Sequence, residues 1–201
     1  MTLDRLTVRE LLSSLGSRSP TPGGGAAAAL TAALAAAMGE MVVNLSRGKP
    51  ALAAHDDLHA EALRGLAELR GGALDLAQAD AEAYGRLSAL FRLDRGEERR
   101  EREWDEAVNA AIAAPRRVMD TCLEILDLLQ RLLGASNPNL GSDLAVAAVL
   151  AEAGCRAAAW NVRANLPLLR DPQGALRIGS EADALIDRAR AISGKIEGKL
   201  S

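Results

Sequence analysis

The chain has 201 residues, of which 49% are hydrophobic and only 2% aromatic, and its formal net charge is −3. This length suffices for one domain, residues 1–201, with a proper hydrophobic core. Single-stranded nucleic acids are bound on aromatic stacking platforms and nucleic-acid backbones by positive charge, so this composition argues against a nucleic-acid partner.

Two features of the N-terminal region indicate where in the cell the protein is found. Charges at Asp4, Arg5, Arg9 and Glu10 fall where a secretory signal would need an apolar core. The uncharged run from 19 to 39 approaches the length of a membrane span, but it contains prolines and glycines and is mostly alanine, which is weakly hydrophobic. The sequence therefore predicts a cytoplasmic protein with no membrane partner, in which this run forms a buried helix.

Apolar residues recur at spacings of three and four along most of the chain, and no segment alternates with the period of two that a strand requires. The near-heptad spacing predicts an all-α, up-and-down bundle of about six helices, several of them long. The predicted helices cover residues 8–15, 26–48, 57–90, 104–132, 144–165 and 175 onward. Pro115 lies inside the fourth, so we expect a kink there, or a break with Pro115 opening a new helix.

The cysteines and histidines do not suggest a metal site. Cys122 and Cys155 fall on separate apolar patterns without metal-ligand spacing, which favours reduced core thiols. His55 and His59 are spaced i, i+4, but no third ligand stands nearby, and both are expected at the exposed start of a helix.

A turn with Pro20, Pro22 and the glycines 23–25 stands directly before the alanine-rich helix. Proline excludes helix upstream, and glycines allow another group to approach the backbone closely. The unpaired N–H groups of a helix start can hold an anion or a polar ligand. Small residues also permit close helix packing without any ligand, and the segment alone favours neither interpretation.

Asp80 lies on the apolar stripe of the third helix, among Leu and Ala. A buried carboxylate without a partner is costly and its pKa rises, so Asp80 should be paired or functional. Alternatively, a rotation of the helix at the glycines 71–72 brings Asp80 to the edge.

Other polar residues have structural explanations beside functional ones. Asn44 and Lys49 suit the end of the second helix, and Ser142 with Asp143 suits an N-cap. Asn161 and Asn165 are one turn apart on the fifth helix and point the same way.

Five segments together resemble, in the same order, the cyclodeaminase/cyclohydrolase family of folate enzymes. They are SRSPTPGGG (17–25), MVVNLSRGK (41–49), DAEAY (80–84), NPNLGSD (137–143) and NVRANL (161–166). The resemblance implies an all-α homodimer that takes a tetrahydrofolate derivative as substrate, with no permanently bound cofactor and no metal. The chain is too short for a formiminotransferase domain as well, so a separate formiminotransferase would supply the substrate.

The resemblance implies conversion of 5-formiminotetrahydrofolate to 5,10-methenyltetrahydrofolate and ammonia. The alternatives are hydrolysis of 5,10-methenyltetrahydrofolate, or a non-catalytic folate-binding helical dimer. In this hypothesis Asp80 or Asp143 is the acid–base group, with Asp80 slightly favoured. The predicted substrate-binding residues are Asn44, Asn137 and Asn139 for the pterin and bridging region, Lys49 with Gly23, Gly24 and Gly25 for the glutamyl carboxylates, and Pro22 and Ser142.

Overall fold

The computed structural model describes residues 2–200, which form six α-helices joined by short turns. The helices are α1 (Val8–Leu15), α2 (Gly24–Asn44), α3 (Asp56–Phe91), α4 (Glu98–Arg131), α5 (Gly141–Asn165) and α6 (Pro172–Leu200). No strand occurs within this range, so the predicted all-α bundle is confirmed.

Helix ends follow local sequence signals. Thr7 and Glu10 form a reciprocal capping box at the start of α1. α2 ends at Asn44, four residues before the predicted end, because residues 45–48 form a turn in which Gly48 has a φ of +72°. α6 begins at Pro172, earlier than predicted, because proline suits the first turn of a helix.

α2 is the central helix and packs chiefly against α3 and α5. Its buried face is made mostly of alanines and glycines, whose small size allows both neighbours to approach closely, with Val42 and Val43 near the C-terminal end. On the other side Leu34 is 59% exposed, and Leu45, the residue directly after the helix, is 52% exposed. α2 therefore turns a face of small residues inward, while Leu30 and Met38 are partly buried and Leu34 faces outward.

α4 runs without a break through Pro115, so the expectation that Pro115 would open a new helix is wrong. Proline removes one N–H from the helical ladder and leaves the carbonyl four residues earlier, that of Ala111, without its usual partner. The remaining hydrogen bonds of this 34-residue helix, together with burial of its apolar face, carry it through the defect.

Cys122 and Cys155 are both buried and free of disulfides. Burial raises the pKa of the Cys155 thiol to about 12 and that of Cys122 well above its ordinary value. Both are therefore inert, apolar components of the core.

α2 is long and apolar enough to cross a membrane by length and composition, and no other helix within residues 2–200 is. However, 56% of its most apolar stretch is buried inside the bundle. Burial of this kind is what the central helix of a packed bundle shows.

Candidate active site

The carboxylate of Asp80 lies directly against the first turn of α2. A Cβ atom added to Gly25 would be 2.0 Å from Oδ1 of Asp80, so only glycine leaves room for this side chain. The backbone N–H of Ala26, one of the unpaired donors of the helix start, favours the charged form of this carboxylate and lowers its pKa. The glycine turn therefore holds an anion, and that anion is the chain's own.

The position of Asp80 changes its acidity. The residue is half-buried, and burial raises the pKa of its carboxyl group above the ordinary value of 3.8, against the opposing effect of the Ala26 N–H. α3 continues unbroken through Gly71 and Gly72. A carboxyl group of raised pKa at the edge of a cavity is suited to accept and return a proton.

Two amides on α5 face the same point from the opposite side. Asn165 donates through Nδ2 to the carbonyl of Ala111 at 2.9 Å and to that of Asn161 at 3.1 Å. The Ala111 carbonyl is the one that Pro115 leaves free in α4. The side-chain oxygen of Asn161 would lie 3.2 Å from a Cβ added to Gly24, so this amide also closes on the start of α2.

These groups surround a cavity of about 110 Å³. It is lined by Thr21, Gly23, Gly24, Gly25, Asp80, Tyr84, Ala111, Asn161 and Asn165. Pro22, buried beside it, follows Thr21 through a cis peptide bond. The space is smaller than a typical cofactor pocket and suits a small group rather than a whole folate.

Tyr84, Ala111, Asn161 and Asn165 are lining residues that sequence reasoning did not place in the site. The spacing of the two asparagines indicated a shared direction but no partner across the bundle. Pro115 was the missing signal, since an interior proline frees a carbonyl four residues earlier and so points to Ala111.

The other predicted residues lie at the opposite end of α2. α2 has 21 residues and is therefore about 30 Å long. Asn44 and Lys49 are exposed near its C-terminal end, and Asn137 joins them there through the hydrogen bond from its N–H to Oγ of Ser46, at 2.8 Å. Within one chain, Lys49 and the glycine turn therefore do not adjoin.

Ser142 and Asp143 lie inside the first turn of α5, which begins at Gly141 after Leu140. Their interpretation as an N-cap is wrong, because the 3-10 turn Pro138–Leu140 runs directly into the helix and moves its start upstream. An aspartate in a first turn still interacts favourably with the helix dipole. Asn139 is exposed, and its N–H donates to Oδ1 of Asn137 at 3.2 Å.

The segment that carries Asn137 is held by two fully buried polar side chains. Ser46 donates to the Val42 carbonyl at 2.6 Å and accepts from the N–H of Asn137. His59 donates through Nε2 to the Ala135 carbonyl at 2.6 Å. Buried polar groups are costly unless hydrogen-bonded, so both side chains fix this segment.

The prediction that both histidines are exposed is wrong for His59, because the segment 50–55 forms a 3-10 turn that sets the first turn of α3 against Ala135. No group of three or more His, Cys, Asp and Glu residues within residues 2–200 is arranged to hold a metal ion.

A sequence profile of the family described as Formiminotransferase-cyclodeaminase matches residues 7–184, and the chain belongs to this family.

The chain matches one relative along almost its whole length and another that is much longer than this chain. The chain is 32% identical over 194 residues to a methenyltetrahydrofolate cyclohydrolase of Methylorubrum extorquens, with 94% of this chain and 93% of the relative covered. It is 27% identical to the formimidoyltransferase-cyclodeaminase of Rattus norvegicus, with 96% of this chain but only 37% of that protein covered.

A solved structure shares the fold. The crystal structure of formiminotetrahydrofolate cyclodeaminase from Thermotoga maritima superposes with a TM-score of 0.85 at 28% identity, covering 98% of both chains. The chain is therefore a member of a family of folate one-carbon enzymes.

Proposed function

We propose that this protein is a formiminotetrahydrofolate cyclodeaminase, which closes 5-formiminotetrahydrofolate to 5,10-methenyltetrahydrofolate and releases ammonia. The observation that carries the proposal is the Asp80 carboxyl group, which has a raised pKa and opens into a small cavity rather than into a salt bridge. The same reaction is in the name of the Thermotoga maritima protein.

The reaction needs one group that takes a proton and later returns it. N10 attacks the carbon of the protonated formimino group, so that the former C=N nitrogen becomes a neutral NH₂, and the N10 proton passes to the Asp80 carboxylate as the C–N10 bond forms. Asp80 then protonates the amino group of the tetrahedral adduct, and the C–NH₃ bond breaks with loss of ammonia. A carboxyl group of raised pKa is suited to both transfers.

The second candidate is hydrolysis of 5,10-methenyltetrahydrofolate, and a specific observation favours it. The relative with 32% identity over almost the full length of both chains is named as that hydrolase. In this reaction water attacks the same carbon, and Asp80 takes one proton of the water. Asp80 returns this proton to one ring nitrogen as the C–N bond to that nitrogen breaks. The hydroxyl proton passes to solvent, and a formyl group remains on the other nitrogen.

The two reactions separate in one absorbance experiment. Growth of the methenyltetrahydrofolate band from 5-formiminotetrahydrofolate, with release of ammonia, supports the cyclodeaminase. Decay of added methenyltetrahydrofolate faster than in buffer supports the cyclohydrolase. Asp80→Asn should abolish the activity while Asp143→Asn, the matched change at the other carboxylate, should retain it. Tight folate binding without turnover would contradict both reactions and support a non-catalytic binding protein.

We also propose a homodimer in which the outward face of α2 and α5 is covered. This face carries Leu34, Leu45, Val146, Val149 and Trp160, each at least 43% exposed. Large apolar residues exposed to this extent on two packed helices are typical of an interface. A two-fold axis across the middle of α2 sets two copies of the helix antiparallel, so that the Asn137 end of one chain lies beside the Asp80 end of the other.

The remaining parts of the proposal concern the surroundings of the enzyme. We propose a cytoplasmic enzyme that needs no resident cofactor, since acid–base chemistry by Asp80 suffices for either reaction. A separate formiminotransferase would supply the substrate. Turnover that survives dialysis against a chelator and then against a cofactor-free buffer would support the absence of a resident cofactor.

A further inference from the structure

The hydrogen bonds of the two α5 amides determine which atoms remain for a ligand. An asparagine amide has two N–H donors on nitrogen and an acceptor oxygen. Both N–H groups of Asn165 are used on carbonyls, and a carbonyl accepts only from the nitrogen end. The amide orientation is therefore fixed, and Oδ1 is the polar atom of Asn165 left without a partner in the described part of the chain.

Asn161 is oriented in the same way. Its Nδ2 donates to the Ala157 carbonyl at 3.1 Å, and its Oδ1 turns toward Gly24. Together with the Asp80 carboxylate, the two amide oxygens give the cavity a set of acceptors.

We infer that this cavity binds the small hydrogen-bond donor that leaves or enters the one-carbon unit, with Asn165 as a binding residue and Pro115 as its positioning residue. The inference rests on the proposed function. In cyclodeamination the donor is the formimino nitrogen, which carries N–H groups as amidine, as adduct and as ammonia. The size of about 110 Å³ suits such a group and leaves the rest of the folate outside.

Pro115 acts through Ala111. In an unbroken α-helix the N–H of residue 115 would donate to the Ala111 carbonyl, whereas proline has no N–H to give. The carbonyl is thus free for Asn165, and this bond turns the Asn165 oxygen toward the cavity.

Running the reaction in reverse tests the site, with ammonium chloride as the probe. Ammonia attacks the carbon of 5,10-methenyltetrahydrofolate and forms a C–N bond, and one of its protons passes to Asp80. The C–N10 bond then breaks, and N10 receives the proton to give 5-formiminotetrahydrofolate. Loss of the methenyl absorbance is followed at fixed pH and ionic strength against a sodium chloride blank.

Asn165→Leu keeps the shape of the side chain and removes the acceptor together with the two N–H donors that bond Ala111 and Asn161. We expect the KM for ammonium to rise at least tenfold while the KM for methenyltetrahydrofolate stays within twofold. Pro115→Ala restores an N–H that competes for the Ala111 carbonyl, although residue 115 itself does not line the cavity. This variant should raise the ammonium KM by about threefold. Gly71→Ala, with open space around it, serves as the matched control.

If the loss of absorbance does not depend on ammonium, water is the small donor. Asn165→Leu should then lower the kcat of hydrolysis at least tenfold without changing the KM for the folate. An active wild-type enzyme whose Asn165→Leu and Pro115→Ala variants keep every kinetic constant would overturn the inference. A folded wild-type protein inert toward both compounds would instead overturn the proposed function.

Discussion

Asp80 combines two properties that conflict in a folded protein. Its carboxyl group ionises near pH 3.8 in the unfolded chain and at a higher pH in the folded protein, because burial disfavours the charge. As the pH rises through this interval the folded state loses stability relative to the unfolded state, and above the interval the loss is complete. The residue proposed to carry the chemistry therefore destabilises the fold at neutral pH.

Replacing Asp80 by asparagine should separate these properties. We expect kcat to fall by about a hundredfold or more, because general acid–base catalysis is lost. The free energy of unfolding should rise at pH 7, and the gain should disappear below about pH 3.8, the ordinary pKa of this side chain. Thermal melts of both proteins across this pH range measure the gain. A variant less stable than the wild type at pH 7 would contradict the account of the raised pKa.

A substitution at Gly25 tests the contact between the Asp80 carboxylate and the start of α2 from the side of α2. In Gly25→Ala the added Cβ would lie 2.0 Å from Oδ1 of Asp80, so the carboxylate must leave the helix start. We expect activity to fall at least tenfold. Gly85→Ala is the matched control, because nothing lies within 4 Å of its added Cβ and alanine stabilises a helix interior by about 1 kcal/mol relative to glycine. Equal activities of the two variants would contradict this placement of Asp80.

At the scale of elements, the segment between α4 and α5 is held from two sides. Ser46→Ala removes the acceptor for the N–H of Asn137, while His59 still holds Ala135. We expect the Asn137 amide to exchange with solvent at least tenfold faster, with unchanged exchange at Ala26, beside Asp80. Hydrogen exchange with residue-level detection measures both sites, and Ser193→Ala provides a control at another buried serine. Uniformly faster exchange would indicate general destabilisation instead.

The helices could be predicted from periodicity, whereas their contacts across the bundle could not. Spacings of three and four gave the extents of α1 and α3 to within a residue or two, because an amphipathic helix must present one apolar face. The same spacings do not tell which neighbour a face meets. On α2 the buried face is the alanine face, and His59 finds a carbonyl 76 residues away.

The same distinction applies to the candidate site, where some residues could be predicted from the sequence but their contacts across the bundle could not. The sequence indicated separately that Asp80 is a costly carboxylate and that the glycine turn attracts anions. It assigned the turn to the glutamyl carboxylates of a ligand, however, and only the structure shows Asp80 against Gly25. The distance of about 30 Å between this group and Asn137 depends on the antiparallel order of α2 and α5, which pairwise motifs do not contain.

At the scale of the whole molecule, the outward face of α2 is where a second copy is proposed to bind. Leu34→Glu places a charge in the middle of this face and should convert the proposed dimer to a monomer of unchanged helicity, with loss of activity. Sedimentation equilibrium and circular dichroism measure the two properties. Lys199→Glu, on α6, is a charge-changing control. A Leu34→Glu protein that stays dimeric would place the interface elsewhere.

Pro115 gives the bundle a property that matters to anyone engineering it. A proline inside a helix costs about 3 kcal/mol, so residue 115 is an obvious target for thermostabilisation. Selection for heat resistance alone would favour its replacement, yet the same change would release the amide held by Ala111. Mutant libraries screened for higher thermal stability should therefore keep Pro115 unchanged and vary exposed helical glycines such as Gly85 instead.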